Sequence, residues 1–244
     1  MFDHVTIRVS DREVSERFYS TVLGAIGIEQ TSSDELLPEW NDFSLAPASD
    51  DVPPTTGLHI GFSAGSRALV DEFWRAGTEA GYRDAGAPGP RPQYHHDYYG
   101  AFLLDPDGNS AEAVHLGIER PGNIDHLWIR VADLDASRCF YDLVSHHTGF
   151  GLRRQLQQLA QFAGVGASFS VVRGTPSRNT HMAFAAGDDA DVDAFHRAAT
   201  EAGYRHNGAP GERPIYHAGY YGAYVLDPDG NNVEVVNHNR RKEA

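Results

Sequence analysis

The sequence has little of what marks secreted or membrane proteins. It holds a single cysteine, Cys139, among 244 residues, so an internal disulfide cannot form. No run of eighteen or more apolar residues occurs, and we expect no membrane-spanning helix. The N-terminal stretch "MFDHVTIRVS" lacks a basic segment followed by an apolar one, so no signal peptide is expected. These absences predict a cytoplasmic protein, with Cys139 a small, buried helix residue.

Positive charge is also scarce. The chain carries 34 acidic residues against 20 lysines and arginines, a formal net charge of −14. This balance argues against nucleic acid and anionic membranes as partners. No glycine-rich phosphate loop or nucleophile elbow is present. We therefore expect a small-molecule substrate or ligand, bound by a monomer or a homodimer.

What the sequence does contain is an internal repeat. One shift of 122 positions, from 2 to 124 and from 98 to 220, relates the two halves. The matching segments are "FDHVTIRV" and "IDHLWIRV", the two copies of "EAGYR", and "YYGAFLLDPDGN" and "YYGAYVLDPDGN". The segment "GIERPGN" between the halves is typical of a linker. The repeat predicts two homologous domains, residues 1–117 and 122–238.

Each half has the same predicted order of elements. "HVTIRV" alternates as a strand does, and a helix follows, for which Ser10 and Glu13 form a capping-box pattern. "TGLHIGFS" predicts another strand, and the next helix is expected to start after Ser66 and to stop at Gly81. "YGAFLLDPDGNSAEAVHL" predicts a hairpin. The chain is therefore predicted to be an α+β protein of four βαβββ units.

Three polar residues interrupt apolar strands in each half. They are His4, His59 and Glu112 in the first half, and His126, His181 and Glu234 in the second. Two histidines and one carboxylate form a facial triad, which leaves metal coordination positions open. A divalent cation would also compensate the buried glutamate. We predict one triad in each half and a divalent metal on at least one of them, with the second as the stronger candidate.

The same residues have a simpler interpretation. A single histidine on a strand is usually hydrogen-bonded in the core or at the surface, and a glutamate after a turn can point to solvent. The repeated "DPDGN" needs no function, because these residues form tight turns readily.

These motifs resemble the vicinal oxygen chelate superfamily, which includes glyoxalase I, extradiol dioxygenases, fosfomycin-resistance transferases and bleomycin-binding proteins. The resemblance rests on "DHVTIRV", "DHLWIRV", "LHIGF", "THMAF" and the two "DPDGNxxE" segments. It implies paired βαβββ units whose cupped mixed sheets curl around a metal. It also implies that the six histidines and glutamates above are the metal ligands, with Fe²⁺ or Mn²⁺ favoured and Zn²⁺ or Ni²⁺ as alternatives.

Within that superfamily, "IYHAGYYGAYVLDPDGNNVE" resembles the signature of extradiol dioxygenases, although Ala223 replaces a larger aliphatic residue. The resemblance implies an acid–base role for His217 and an active-site role for Tyr224, which is Phe102 in the first half. Glyoxalase I usually adds a fourth ligand, and no such residue stands in "DFSLAP" or "SFSVVR". We place the substrate pocket at Trp128, Arg130 and Tyr221.

The predicted function is therefore that of a metal-dependent dioxygenase or lyase acting on a small substrate with neighbouring oxygens. An antibiotic-binding protein without catalysis is the first alternative, since clustered tyrosines suit stacking. A fosfomycin-type transferase is the second alternative.

Overall fold

The computed structural model describes residues 2–33, 37–118 and 120–239. Four successive units share one order of elements, a strand, a helix and three strands. The first unit contains β1 (Phe2–Val9), α1 (Arg12–Gly24), β2 (Ser32–Ser33), β3 (Pro38–Trp40) and β4 (Phe43–Pro47). The second contains β5 (His59–Ser63), α2 (Arg67–Glu79), β6 (Arg83–Pro90), β7 (Tyr99–Leu104) and β8 (Ser110–His115).

The second half of the chain repeats this order. The third unit contains β9 (Ile124–Val131), α3 (Leu134–Ser145), β10 (Phe150–Gln155), β11 (Leu159–Gly164) and β12 (Ser168–Arg173). The fourth contains β13 (Thr180–Ala185), α4 (Asp189–Glu201), β14 (His206–Glu212), β15 (Tyr221–Leu226) and β16 (Asn232–Asn237). The predicted α+β class and the four βαβββ units are confirmed.

The units combine into two mixed sheets of eight strands, and each sheet draws on both halves of the sequence. One sheet has the order β14-β15-β16-β13-β1-β4-β3-β2, and the other has the order β10-β11-β12-β9-β5-β8-β7-β6. The first joins the fourth unit to the first through antiparallel β1 and β13. The second joins the third unit to the second through antiparallel β5 and β9. Residues 1–117 and 122–238 therefore do not each form a sheet of their own.

The short connection between the halves explains this exchange. Strand β8 ends at His115 and β9 begins at Ile124, so the chain has little room to leave the sheet that it has just completed. Strand β9 pairs with β5 of that sheet, and the edge of β1 is left for β13. The similarity between the halves reflects their common ancestry. The short segment between β8 and β9 instead determines which strands pair.

The helix starts agree with the sequence pattern in one case and differ in another. Ser66 caps α2 by accepting a hydrogen bond from the Leu69 amide, and Gly81 follows this helix with a φ of +87°. The predicted capping box at Ser10 is wrong, because Asp11 caps α1 and Ser10 donates to Asp107 instead. Aspartate at this position accepts from the third amide of the helix as serine would.

The predicted burial of Cys139 is also wrong. The residue lies in α3, as expected, but its side chain is exposed. The buried face of this helix is formed by Phe140, Tyr141 and Val144, the face that packs on the sheet. No described helix is long and apolar enough to cross a membrane.

The repeated "DPDGN" segments are structural anchors as well as turns. Asn109 is fully buried, and its side chain accepts from the Leu58 amide and donates to the Thr55 carbonyl and to Asp105. Asp105 in turn accepts from the Tyr19 hydroxyl at 3.0 Å, which ties α1 to the hairpin. The turn thus fixes the start of β5, the strand that carries His59.

Replacing Asn109 by alanine is expected to destabilise the protein by about 2–4 kcal/mol, because it leaves buried backbone groups of Leu58 and Thr55 without partners. Urea denaturation of the metal-free protein measures the loss. Asn231→Ala, at the equivalent turn, should cost a similar amount. A loss under about 1 kcal/mol at both turns would show that the anchors contribute little.

Candidate metal centres

Within the described parts of the chain, two clusters, each of two histidines and one glutamate, lie where the sheets join units from opposite halves. Site I consists of His59, Glu112 and His126. The Nε2 atoms of the two histidines are 3.0 Å apart, and they lie 3.1 Å and 3.2 Å from Oε2 of Glu112. Donor atoms about 2.1 Å from a common ion are about 3.0 Å apart when the bond angle is about 90°. The triangle therefore has the size of one face of an octahedral metal site.

Site II consists of His4, His181 and Glu234. The Nε2 atoms of its histidines are 3.1 Å apart, and that of His181 lies 3.1 Å from Oε2 of Glu234. The corresponding distance from His4 is longer, at 3.7 Å. All six predicted ligands thus fall in these two clusters, but not in the predicted combinations.

The predicted grouping by halves is wrong, and strand register explains why. Gly61 of β5 pairs with Glu112 on one side and with His126 on the other, and His59 lies two residues away on the same strand face. Ala183 of β13 has the same relation to Glu234 and His4. Each triad therefore takes one histidine from one half and the other two ligands from the other half.

The residue between the ligands accounts for the difference between the sites. A Cβ atom at Gly61 would clash with the His126 ring, so glycine lets that ring lie across β5, close to Glu112. Site II has Ala183 in this place, where a methyl group takes up the space that Gly61 leaves open, and His4 lies 3.7 Å from Glu234. Site I is consequently the tighter of the two triangles.

The outer nitrogen of each histidine is held by a polar neighbour. In site I, Nδ1 of His126 lies 2.9 Å from Asp125, and Nδ1 of His59 lies 2.9 Å from the Ser110 hydroxyl. In site II, the partners are Asp3 for His4, at 2.8 Å, and Asn232 for His181, at 2.7 Å. A carboxylate on Nδ1 directs the lone pair of Nε2 toward the centre of the triangle, as in many metal sites. These four partners were not predicted from the sequence.

A tyrosine holds each glutamate. The hydroxyl of Tyr98 donates to Oε1 of Glu112 at 2.7 Å, and Tyr220 makes the same contact with Glu234. Both glutamates are almost completely buried. The other oxygen of each glutamate, Oε2, is left facing the two histidines.

Tyr98→Phe is expected to weaken metal binding at site I by about 10–100-fold, because it removes the hydrogen bond that orients Glu112. Competition with a chelator measures the change in a His181→Ala background, where only site I keeps its ligands. Tyr99→Phe is the matched control, since the Tyr99 hydroxyl donates to Asp71 and is remote from Glu112. Equal affinities in both variants would contradict an orienting role.

The electrostatics of site I favour a cation. Burial alone would raise the pKa of Glu112, but the two imidazoles lower it to about 2, so the carboxylate is ionised. Burial disfavours the charged form of His126, yet Asp125 and Glu112 outweigh it and raise the pKa of this histidine to about 10. Oε2 of Glu112 has no hydrogen-bond partner in favourable geometry. A divalent ion fits these residues, since it would replace the extra proton and bind Oε2 of Glu112 together with the two imidazoles.

A cavity of about 300 Å³ opens in front of site I. Aromatic rings form its walls, with Trp128 5.9 Å from the His59 ring and Phe102 6.0 Å from it. Tyr94 stands 6.0 Å from Trp128, and Arg130 also lines the cavity. Trp128 and Arg130 line this cavity beside site I, which is not the triad of the second half with which they were predicted to lie, and their contact with a substrate stays a prediction.

Of the remaining predicted site residues, one lies beside site II and two lie away from both triads. The Tyr224 ring lies 6.2 Å from that of His181, at site II. Tyr221 does not face either site, because strand residues alternate and its hydroxyl donates to Asp193 of α4. His217 is outside the triad, with Nδ1 2.8 Å from the Ala218 carbonyl oxygen and Nε2 2.7 Å from His238.

Known proteins of the same architecture support this description of the fold. Glyoxalase I from Zea mays superposes with a TM-score of 0.69 at 19% identity, over 97% of this chain and 92% of its own. A Bacillus subtilis protein described only provisionally as a dioxygenase superposes with a TM-score of 0.64 at 14% identity. The match covers 98% of this chain and 85% of the Bacillus subtilis chain. A glyoxalase/bleomycin resistance protein from Albidiferax ferrireducens T118 is 34% identical over 47% of this chain and 98% of its own, with a TM-score of 0.43. The first two of these structures share the fold at 19% and 14% identity, and they leave the reaction open.

The sequence itself gives the family. No curated protein matches the chain. The family model described as the glyoxalase/bleomycin resistance protein/dioxygenase superfamily matches residues 1–113 and again residues 123–235. The two matches cover most of the sequence and coincide with its repeat, so the chain belongs to this superfamily as a tandem member.

Proposed function

We propose that the chain is a metal-dependent enzyme of the extradiol dioxygenase or lyase type, with a divalent ion at each triad and a small substrate that chelates it through neighbouring oxygens. The observation that carries the proposal is the triangle of site I, whose edges of 3.0–3.2 Å join two imidazole nitrogens and one oxygen of the buried Glu112. Fe²⁺ or Mn²⁺ suits a site of two imidazoles and a carboxylate with open positions. Zn²⁺ and Ni²⁺ are the alternatives.

A bound metal would act as a Lewis acid toward the substrate oxygens. The protein contributes the surroundings. His59, Glu112 and His126 would hold the ion on one side, and the aromatic walls of the cavity would accept a flat ring on the other. Arg130 lines the same cavity, where its guanidinium group would favour an anionic substrate.

Site II offers a different hydrogen-bonding environment. Tyr224 stands where site I has Phe102, and Thr6 stands where site I has Trp128. Burial and the nearby Glu234 raise the pKa of Tyr224, so its hydroxyl keeps its proton at neutral pH. Tyr224 can therefore donate a hydrogen bond to a substrate oxygen on which negative charge develops.

The test is turnover. The protein is first reconstituted with Fe²⁺ or Mn²⁺ in the absence of oxygen. Oxygen and a panel of catechols are then added, and oxygen uptake and ring opening are measured. A parallel panel of 2-oxoaldehyde–thiol adducts tests the lyase reaction. We expect turnover that is lost in His59→Ala combined with His181→Ala. Substrates that bind without any turnover in either panel would contradict the proposal.

Tyr224 gives a sharper test of site II. In a His59→Ala background, Tyr224→Phe is expected to lower kcat by about 100-fold and to leave metal content unchanged, because it removes one donor and no ligand. Phe102→Tyr is the matched control, since it alters the other site. An unchanged kcat would exclude Tyr224 from the reaction at site II.

The exposed tyrosines favour a second candidate, an aromatic-ligand-binding protein. Tyr94 and Tyr216 are 51% and 56% exposed, and their rings stand within 5.1 Å and 4.8 Å of Tyr98 and Tyr220. Such a rim suits stacking with an aromatic or cationic ligand. This function would be favoured if the metal-free variant with both His59→Ala and His181→Ala bound catechols as tightly as the metal-loaded protein does.

A further inference from the structure

A third group of side chains able to bind a metal lies outside both triads. His95, His96 and Asp97 stand in the turn between β6 and β7, and each offers a donor atom within 4.8 Å of the other two. Nε2 of His96 lies 2.8 Å from Oδ2 of Asp97, and the centres of the two imidazole rings are 4.1 Å apart. All three residues are exposed. We refer to these three residues as the turn cluster.

The backbone of the turn is what brings the three side chains together. Neighbouring residues in a strand point to opposite faces, and consecutive residues can converge only where the chain leaves the strand. The Arg91 amide donates to the Tyr98 carbonyl at 2.8 Å, and the Tyr98 amide donates to the His95 carbonyl at 3.0 Å. Nδ1 of His95 also lies 3.3 Å from the Asp97 amide nitrogen, which keeps this ring close to Asp97.

The donor set selects the kind of ion. Two imidazoles and one carboxylate suit Zn²⁺ or Cu²⁺, whereas Mg²⁺ and Ca²⁺ prefer oxygen ligands alone. Donor atoms on a tetrahedral Zn²⁺ are about 3.3 Å apart, since each lies about 2.0 Å from the ion. The 2.8 Å contact and the 4.8 Å limit lie on either side of this value, and exposed side chains reach it by rotation. Residues 1–120, which contain the turn, hold 20 acidic residues against 8 arginines and therefore attract cations.

The same turn supplies part of site I from its inner side. The Tyr98 hydroxyl donates to Glu112, and the Tyr94 ring lies 5.1 Å from the Tyr98 ring. Tyr94 also stands 6.0 Å from Trp128 and lines the cavity in front of site I. An ion bound to the turn cluster would therefore fix the backbone from which Tyr94 projects.

The equivalent turn before β15 has the same closure but not the ligands. The Arg213 amide donates to the Tyr220 carbonyl at 2.8 Å, as in the first turn. The two positions that follow its histidine are Ala218 and Gly219, whose side chains cannot bind a metal. Gly219 has a φ of +85°, and a Cβ atom there would lie 2.9 Å from the His238 carbonyl oxygen, so an aspartate does not fit. The second turn is thus a control within the same molecule.

We propose that the turn cluster binds one divalent ion of the Zn²⁺ class, and that this ion fixes the turn that carries Tyr94 at the mouth of site I. Neither triad takes part in this binding, so the inference is independent of the proposed function. Because the ligands are exposed, the ion exchanges readily, and gel filtration without added metal removes it. The metal content of the purified protein is then set by the two triads.

Zn²⁺ affinity gives the first test. Calorimetric titration uses protein with both His59→Ala and His181→Ala, in which each triad lacks one ligand. In this protein, His96→Ala should weaken Zn²⁺ binding at the turn by more than the about 10–100-fold that loss of an outer partner costs, because it removes a ligand itself. Gln93→Ala, an exposed position in the same turn, is the matched control and should leave the affinity unchanged. Mg²⁺ should not bind to the turn.

Chymotrypsin compares the two turns directly. Tyr94 and Tyr216 are 51% and 56% exposed, and a histidine follows each of them, so the two cleavage sites are alike. Zn²⁺ at about ten times its Kd should slow cleavage after Tyr94 about tenfold, because only the metal-free turn opens for the protease. Cleavage after Tyr216 should keep its rate. The ratio of the two rates cancels any effect of Zn²⁺ on the protease itself.

Three results would overturn the inference. They are equal slowing after both tyrosines, slowing after Tyr94 that persists in His96→Ala, and a Zn²⁺ affinity that His96→Ala leaves unchanged. Asp97→Ala should behave as His96→Ala does, and it keeps the test valid where the histidine variant fails to fold. All three results leave metal binding at the triads, and with it the proposed function, untouched.

Discussion

Alanine at His59 and alanine at His126 are expected to remove one and the same metal ion. Protein purified without chelator should carry about two divalent ions per chain, one for each triad. Either substitution should lower the content to about one, and the two together should lower it no further. The reason is that His59 and His126 both face Oε2 of Glu112 across the junction of β5 and β9.

The pair His4 and His59 separates this arrangement from grouping by sequence halves. These residues lie in the same half but in different sites, so the double substitution should leave about no metal. If each half held its own triad, the same protein would keep one ion in the second half. Elemental analysis gives the count, and His206→Ala, at an exposed position of β14 outside both triads, is the control. One retained ion in the His4/His59 variant would contradict the structure.

Much of the fold follows from local pattern. The repeat, the alternating strands, the Ser66 cap and the hairpin around "DPDGN" are each decided by residues close together in sequence, and the structure has them as predicted. The six histidines and glutamates were also identifiable, because each interrupts an apolar strand. Local pattern was sufficient for the elements and for the set of candidate ligands.

The combination of ligands depends on strand pairing between distant segments, which no local pattern contains. Strands β1 and β13, which pair, are separated by more than half of the chain. Strands β5 and β9 pair across the linker between the halves. The positions of Asp3 and His238 illustrate the same limit, since 235 positions separate them. Their contact could not be expected before the sheet order was known.

The error at Tyr221 was of another kind, since the sequence contained the means to avoid it. Tyr224 pairs with Glu234 across the final hairpin, so residues at even spacing from Tyr224 share the face of the glutamate. That spacing selects Tyr220, whose hydroxyl donates to Glu234, and places Tyr221 on the helix side. Hairpin register is a local property and can be applied to similar repeats.

The exchange of units between halves predicts the behaviour of a divided chain. A protease site inserted in the linker at residues 117–123 should yield two fragments that remain associated without denaturant, because β1–β13 and β5–β9 pairing holds them together. The nicked protein should keep both metal ions. Each isolated fragment should hold none as a monomer, since the first supplies His59 and Glu112 without His126, and the second supplies His181 and Glu234 without His4.

A separated fragment has one way to complete a triad, which is to pair with another copy of itself. In a dimer of the first fragment, β1 of one copy could take the place of β9 beside β5 of the other, because β1 and β9 are repeats of each other and His4 matches His126. Size-exclusion chromatography with metal detection should then find metal only in the dimeric fraction. A monomeric first fragment that carries one ion would mean that a half of the sequence forms a complete site by itself, and the sheet pairing described above would be wrong. Mixing the two fragments should restore both ions at equal stoichiometry, because the first half supplies the ligand that the second half lacks at site II, and the second half supplies the ligand that the first lacks at site I.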